Sequence, residues 1–507
     1  MSAQYDVIVV GSGAGGGSVA YKLVLAGKRV LLIEKGPFLP RNASTLDVRQ
    51  VFIDGVFKNR VTWLDGNGHH FIPGEFYNVG GKTKWYGAAL FRFRPCEFEA
   101  EPEFDLLGWP FGYEELKPYY DEATKLLRIT TFENEPQLQA LLDKITSADP
   151  AWELHQLPLG LSHDIVNHPE EAKHFDGFAS PSGLKSDSER NLIDRILDEP
   201  NFKLIAGDPV AELVSAPGDA RKIIGVKCAD GAVYEAGTIV LAAGAMSSPR
   251  LLQDYLHGSG LCLPCGELLG ANFKMHINSA LLGFSPFVDH DVLRKTAVLY
   301  NEKFPHSSIQ CLGWIDAELL APQASPELPG FMDKFLGKRA IGFWATTEDS
   351  SSTENRIISG WAAGKPIMDY SLDRMPHAVK EHHALVDKWL ERLLAAGLVG
   401  FNKYMGVSGT AHALGSMVTG REPESSVVNP HGKVHGMEES LCGRWQPSAE
   451  GEPREPVSDD LCMGAASGRS LGGSLGRSRG GWMTGTAKRG FHARALERNF
   501  SFSTANC

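Results

Sequence analysis

The 507-residue sequence contains no apolar stretch approaching the ~18 residues of a membrane-spanning helix, so no membrane span is expected. Positive charge is in deficit. Lys and Arg total 50 against 61 Asp and Glu, a formal net charge of −11, which argues against nucleic acid or an anionic membrane surface as a partner. Cysteine is sparse: eight are scattered without the spacing of a disulfide framework, and only Cys262 and Cys265 form a C-x-x-C. No second cysteine pair or histidine pair accompanies them at zinc spacing, so they read as surface-loop cysteines and no metal site is expected. The first apolar run starts at residue 5, which leaves no room for a secretory signal, and a reducing cytoplasm is the expected location. What remains, 43% hydrophobic and 22% charged residues, is an ordinary globular composition on a chain long enough for two domains.

That first run opens the most informative segment. Tyr5–Val10 is an apolar, β-branched strand, Gly11, Gly13 and Gly16 occupy the positions of G-x-G-x-x-G, and Ser18–Ala26 has helical spacing. Arg29–Ile33 then forms a second strand that runs into Glu34. The glycines allow a tight turn and close approach to a pyrophosphate, which would sit on the helix N-terminus where N–H groups and dipole favour an anion. Glu34 is placed to accept a ribose hydroxyl. A lone glycine motif would mean little; strand, turn, helix, strand and acid in order make a dinucleotide site.

Further along, Phe76–Leu90 carries Gly80 and Gly81 beside small Ala88 and Ala89, as close approach to a flat ligand needs. Trp109–Leu127 reads as a helix with Pro118 near its first turns. Phe202–Val214 and Ala232–Ala243 are strand-rich, and a helix is expected from Pro249 after a small-residue turn. Short alternating segments from His276 to Ser371, with turns at Asn301–Glu302 and Gly364–Lys365, suggest an antiparallel sheet.

Seven motifs in order carry a family resemblance: the fingerprint, V-G-G-K-T-K-W-Y-G-A, W-P-F-G-Y-E-E-L-K-P-Y-Y, I-V-L-A-A-G-A-M-S-S-P-R-L-L, L-G-A-N-F-K-M-H, G-T-A-H-A-L-G-S and V-V-N-P-H-G-K-V-H-G-M-E. Together the chain resembles a glucose–methanol–choline (GMC) oxidoreductase, a family of FAD-dependent alcohol oxidases and dehydrogenases. The resemblance implies an α/β fold: a Rossmann-like FAD-binding domain built from discontinuous segments, with an inserted α+β substrate domain containing an antiparallel sheet. The expected FAD-domain segments are 1–110, 190–275 and 405–441, with substrate-side helices and loops in 111–189 and the sheet in 276–404. FAD contacts are expected from Gly11, Ser12, Gly13, Ala14, Gly16, Glu34, Lys35, Gly80, Gly81, Val210, Ala243 and Gly244. No histidine follows Gly81 where some relatives attach the cofactor, so non-covalent FAD is expected.

The family's catalytic histidine corresponds to His412, which would take the hydroxyl proton of an alcohol as hydride leaves for flavin N5. An ordinary imidazole pKa of ~6.5 suits that exchange. His276, His431 and His435 read instead as structural or phosphate-edge residues. The expected reaction is oxidation of an alcohol on a sugar, polyol or similar small molecule to an aldehyde or ketone. The acceptor is open between oxygen, a quinone and a cytochrome, and the loops Pro286–Leu299 and Leu320–Lys338 carry no readable substrate code. A different FAD enzyme sharing only the N-terminal strand–turn–helix would not explain the His412 motif or the inserted sheet.

Two departures stand out. Gly415-Ser-Met-Val-Thr-Gly420 lacks the arginine of the family's G-T-x-R-M-G. After Glu438 the expected D-G-S strand and N-P loop, which supply the partner of the catalytic histidine, are absent. Residues 442–507 are rich in Gly, Ser and Arg and carry nine Lys and Arg against six Asp and Glu, whereas residues 1–441 carry 41 against 55. Back-translated with suitable codons and read one base later, Cys442–Gly464 can spell V-A-D-G-S-L-L-P-R-V-S-R-V-N-P-S-L-T-I-Y-A-W-G, the missing ending. Its N-P asparagine would be encoded across Glu455 and Pro456, some 43 positions after His412. The tail therefore reads as out of frame and unable to order itself, and an inactive flavin-binding remnant is the competing function. Cys442, Cys462 and Cys507 then fall outside the redox argument.

Overall fold

Three sheets organise the chain in the computed structural model, which describes residues 4–285, 292–315, 339–361, 363–406 and 412–438, and the backbone of 441–442. The tail from 443, Leu320–Lys338 and the first part of Pro286–Leu299 lie outside the described residues.

The first sheet is built on β1 (Tyr5–Val10), which leads through the glycine turn into helix α1 (Ala14–Leu25) and on to strand β2 (Val30–Glu34). β1 lies between two parallel neighbours: β2, in register Val7 with Val30, and strand β3 (Val233–Leu241), in register Val7 with Thr238. Both faces of this centre are apolar. Ile8, Leu31, Ile33, Ile239 and Leu241 enter one core, while Val7, Val9, Leu32 and Val240 pack on Val19, Leu23 and Val24 of α1. That near-continuous hydrophobicity is what a parallel sheet covered on both sides requires. Phe202–Ala206 extends the β2 edge in parallel, and the hairpin Val210–Ala216 with Asp219–Cys228 extends the β3 edge in antiparallel fashion. Its Pro217-Gly218 corner has Gly218 at φ +80°, as a type II turn demands. Leu441–Cys442 pairs in parallel with Ile239 and Val240.

The second sheet is wholly antiparallel, in the order Val399–Tyr404, Ile277–Phe284, Ala340–Thr347, Ser307–Cys311, Ala297–Asn301, Trp152–Gln156. Its buried face meets helices Pro136–Ala148 and Pro376–Ala395 through Leu142, Ile145, Leu385 and Trp389. Trp389 stands edge-on to both Trp152 and Phe343, with ring centroids 5.1 and 4.9 Å away. A third, four-stranded sheet joins Trp63–Asp65 and His70–Phe71 to the hairpin Arg356–Ile358 and Ile367–Asp369, which turns at Gly364.

Several expectations need correction. The helix expected over Trp109–Leu127 starts at Tyr113, and Pro118 lies inside it. The helix expected from Pro249 starts at Gly244; this is α2 (Gly244–Ser259), with Pro249 in its interior. A proline there removes the bond to the carbonyl four residues back, and the Ser416 hydroxyl donates to that carbonyl, Ala245 O, instead. Ala297–Leu299 is buried strand, not substrate-facing loop. Cys262 is exposed as expected, but Cys265 is buried and its thiol donates to His435 O at 3.4 Å.

Candidate active site

Gly11 at φ +101° turns the chain out of β1, and a Cβ there would meet Ala242 O at 2.4 Å. A Cβ on Gly16 would meet Gly11 O at 1.8 Å, so this glycine lets helix and turn close on each other. Gly13 is different. It is the N-cap of α1 without a side-chain cap, and a Cβ there would meet no protein atom within 4 Å. Its open side faces a cavity of about 630 Å³. Gly244, near the N-terminus of α2, is likewise open and lines the same cavity. Two helix N-termini with free N–H groups thus border one space, the arrangement that attracts an anion.

Glu34 lies at the end of β2, buried. Its Oε2 accepts Ser12 N–H (2.9 Å) and Ser12 O–H (2.6 Å), and its Oε1 accepts Gly36 N–H (2.9 Å). Burial pushes its pKa up, against the pull of those three donors. The carboxylate expected for a ribose hydroxyl therefore also ties the glycine turn to the end of β2. Ser12 Oγ accepts Gly80 N–H at 3.0 Å, and Ser188 Oγ donates to Ser12 O and Gly13 O. Gly81 approaches Gly13 so closely that a Cβ would meet its Cα at 3.0 Å. The close approach read at Gly80 and Gly81 is in part backbone on backbone, locking Val79–Ala89 against the turn.

Of the residues expected to hold FAD, Gly11, Ser12, Gly13, Ala14, Glu34, Lys35, Gly81, Val210, Ala243 and Gly244 line the cavity. Gly16 and Gly80 do not; they shape the turn from behind. Sequence reasoning missed Arg250, which also lines the cavity with a buried Nε that has no partner and its guanidinium 5.0 Å from the Trp63 ring. Lys35 lies 3.8 Å over the Tyr77 ring, and burial holds its pKa below the usual value. Open glycines, two free helix ends and an unpartnered guanidinium nitrogen suit a dinucleotide with a diphosphate.

The same cavity is lined by Lys274, His276, Glu348, Ser351 and Ala413. His412 neighbours it through Ala413, and its ring lies 5.4 Å from that of His276, nearly perpendicular. His276, read from the sequence as structural or phosphate-edge, forms the cavity wall beside the candidate base. His435 is structural, its Nε2 shared between Ser426 Oγ and Gly420 O, and His431 is exposed. Both His276 ring nitrogens and His412 Nδ1 are buried without partners. Burial lowers both pKa values to about 3; Lys274 adds to the effect on His276, and His276, Lys295 and Lys82 add to it on His412. Both imidazoles are neutral near pH 7, and His412 departs from the ordinary pKa of ~6.5 expected for it because burial disfavours its charged form.

A family model described as GMC oxidoreductase matches residues 79–278, and one described as NAD(P)-binding Rossmann-like domain matches residues 9–74. Residues 79–278 carry a GMC oxidoreductase domain. Members of the family use FAD to act on CH–OH groups, and this GMC oxidoreductase does the same. It is 26% identical over 475 residues to "Paromamine 6'-oxidase" of Streptomyces fradiae, covering 85% of this chain and 84% of that one. It is 35% identical to "2-methyl-1,2-propanediol dehydrogenase" of Mycolicibacterium austroafricanum over 146 residues, 26% of each chain. Among solved structures, the fold is similar to pyridoxine 4-oxidase from Mesorbium loti (TM-score 0.59, 14% identity, 90% of this chain and 96% of that one). An FAD-dependent oxidoreductase from Chaetomium thermophilum is similar to the same degree (TM-score 0.59, 14% identity, 90% and 97%). No described helix is long and apolar enough to cross a membrane.

Proposed function

We propose that this GMC oxidoreductase oxidises a hydroxyl of a small polyol, sugar or related alcohol to the aldehyde or ketone, with FAD held non-covalently and His412 as the base. One observation carries the reading: an unpartnered imidazole, His276, stands on the wall of the cavity that also receives the glycine turn and both helix N-termini, with the His412 ring 5.4 Å from it. Bound FAD would supply the hydride-accepting chemistry. The chain's part is to seat the diphosphate against Gly13 and Gly244, fix the ribose end near Glu34, and receive the hydroxyl proton on an imidazole nitrogen. A neutral ring has room for that proton. Glu348 and Ser351, both at the cavity wall, offer polar partners to further hydroxyls, which favours a substrate with more than one.

The test is the visible spectrum of the purified protein. It should show the two bands of oxidised flavin, released intact by acid or heat, and anaerobic addition of a panel of polyols and sugars should bleach them. A flavin-loaded protein bleached by none of them would refute the proposed substrates. The segment after Cys442 favours a second function, a flavin-binding remnant without turnover, and the same spectrum separates the two.

A further inference from the structure

His276 is held in an unusual way. It takes φ +63°, a left-handed conformation that costs a non-glycine residue of order 1–3 kcal/mol and persists only where the surroundings enforce it. Behind its ring lies Asp349, fully buried. Asp349 Oδ2 accepts Met275 N–H at 2.8 Å and Tyr370 O–H at 3.0 Å, so that oxygen is spoken for. Oδ1 has no hydrogen-bond partner and stands 3.9 Å from His276 Nδ1. Two buried groups without partners thus face each other, one of them on the cavity wall and 5.4 Å from the ring of His412.

We propose that His276 is a second catalytic residue: Asp349, protonated on Oδ1, donates to His276 Nδ1 and leaves Nε2–H to hold the substrate oxygen while His412 receives its proton. This rests on the alcohol-oxidation reading above and names the group that reading left without a role. The protons balance: one moves from the alcohol oxygen to His412, and the hydrogens on His276 and Asp349 stay where they are. Burial raises the Asp349 pKa as the largest effect; Lys274, the backbone N–H groups of Met275 and His276, and the Tyr370 hydroxyl pull it down by less. With Oδ2 already accepting two hydrogen bonds, Oδ1 is the oxygen that can carry the proton. A neutral His276 then has one tautomer available, because Nδ1 must accept. The choice matters chemically. An ionised Asp349 would instead take Nδ1–H, leave Nε2 as a bare acceptor and give the substrate oxygen no donor.

The experiment uses the FAD-loaded full chain. Ring-¹⁵N spectra of histidine-labelled protein, with the His276 signals identified by their loss in His276→Gln, should show a neutral imidazole at pH 6 with hydrogen on Nε2. Hydrogen on Nδ1 overturns the proposal, whether or not the protein turns over. Rates of anaerobic flavin bleaching supply the second readout. His276→Ala and Asp349→Ala should each slow bleaching by about 100- to 1,000-fold, the range for removing a positioned hydrogen-bond donor. Asp349→Asn, whose amide can donate to Nδ1 while its oxygen accepts from Met275 and Tyr370, should recover most of that loss. An asparagine variant as slow as the alanine variant overturns the proposal. If His412→Ala abolishes bleaching and His276→Ala leaves it unchanged, alcohol oxidation by His412 stands and this inference fails. If no alcohol bleaches the parent, the alcohol-oxidation reading fails on its own account and the tautomer still decides the placement of the Asp349 proton.

Discussion

Three histidines with ring nitrogens shut off from water make the stability of this GMC oxidoreductase sensitive to mild acid. His276, His412 and His382, the last bonded to Ser279 and Thr347 hydroxyls, have pKa values lowered by burial to about 3. Unfolded, each returns to ~6.5. The unfolded state then binds more protons between these values, so the stability these groups contribute is complete above pH ~6.5 and is lost as pH falls toward 3. From pH 7.5 to 5.5 an unfolded histidine goes from roughly one-tenth to nine-tenths protonated, which costs the folded state about 1.4 kcal/mol per histidine and about 4 kcal/mol for three. His306 works in the opposite direction. Held between Glu101 and Glu381, it has a raised pKa, and its contribution is present at low pH and lost as pH rises through the folded value. A difference measurement removes that offset. Urea unfolding of the parent and of His276→Gln, followed by tryptophan fluorescence at pH 7.5 and 5.5, should show the variant losing about 1.4 kcal/mol less than the parent over that interval. An equal or larger loss in the variant would mean that His276 is not held neutral, and the reasoning about its burial would fall.

Gly13→Val places its Cβ where no protein atom lies within 4 Å, so it should leave folding intact and purify with little flavin, whereas Gly16→Ala should express poorly because its Cβ collides with Gly11 O. Equal flavin content in Gly13→Val and parent, measured by absorbance, would move the cofactor elsewhere. His412→Ala should slow alcohol-dependent bleaching by about 10²–10⁴-fold while retaining FAD; loss of FAD with normal reduction on reconstitution would make it structural. Deleting one base near the codons for Glu438–Cys442 should raise flavin retention and thermal stability, and a gene whose shifted frame does not spell D-G-S and N-P would refute the frame argument.

The elements nearest in sequence were the most legible. β1, α1 and β2 follow from local apolar spacing and glycine placement, and all three form close to where the pattern puts them. The antiparallel sheet was readable for the same reason, through short apolar segments and a hairpin turn after Asn301. What was not readable depends on distant groups. Pro249 looks like a helix start because nothing nearby hints that Ser416 will occupy the carbonyl it frees. His276 gave no spacing signal, because its neighbours His412 and Asp349 come from other segments, and a positive φ leaves no mark on a histidine. The one available clue was its place at the end of L-G-A-N-F-K-M-H, directly before an apolar strand. Cys265 is buried by contact with His435, 170 residues away.

The position of β1 between β2 and β3 has a consequence for the order of events during synthesis. One edge of β1 is covered within about twenty-five residues, but the other waits for Val233–Leu241. At ~5–20 residues per second, the interval is of the order of 10–50 s. Throughout it the nascent chain presents an unpaired, strongly apolar strand edge, the feature most prone to pair with another chain. Neither the helix N-terminus at Gly244 nor the neighbouring rings of His276 and His412 exist while the glycine turn is already made. Expression of this enzyme should therefore respond to whatever shields that edge early, such as slower initiation, lower temperature or a holding chaperone, more than to the supply of flavin.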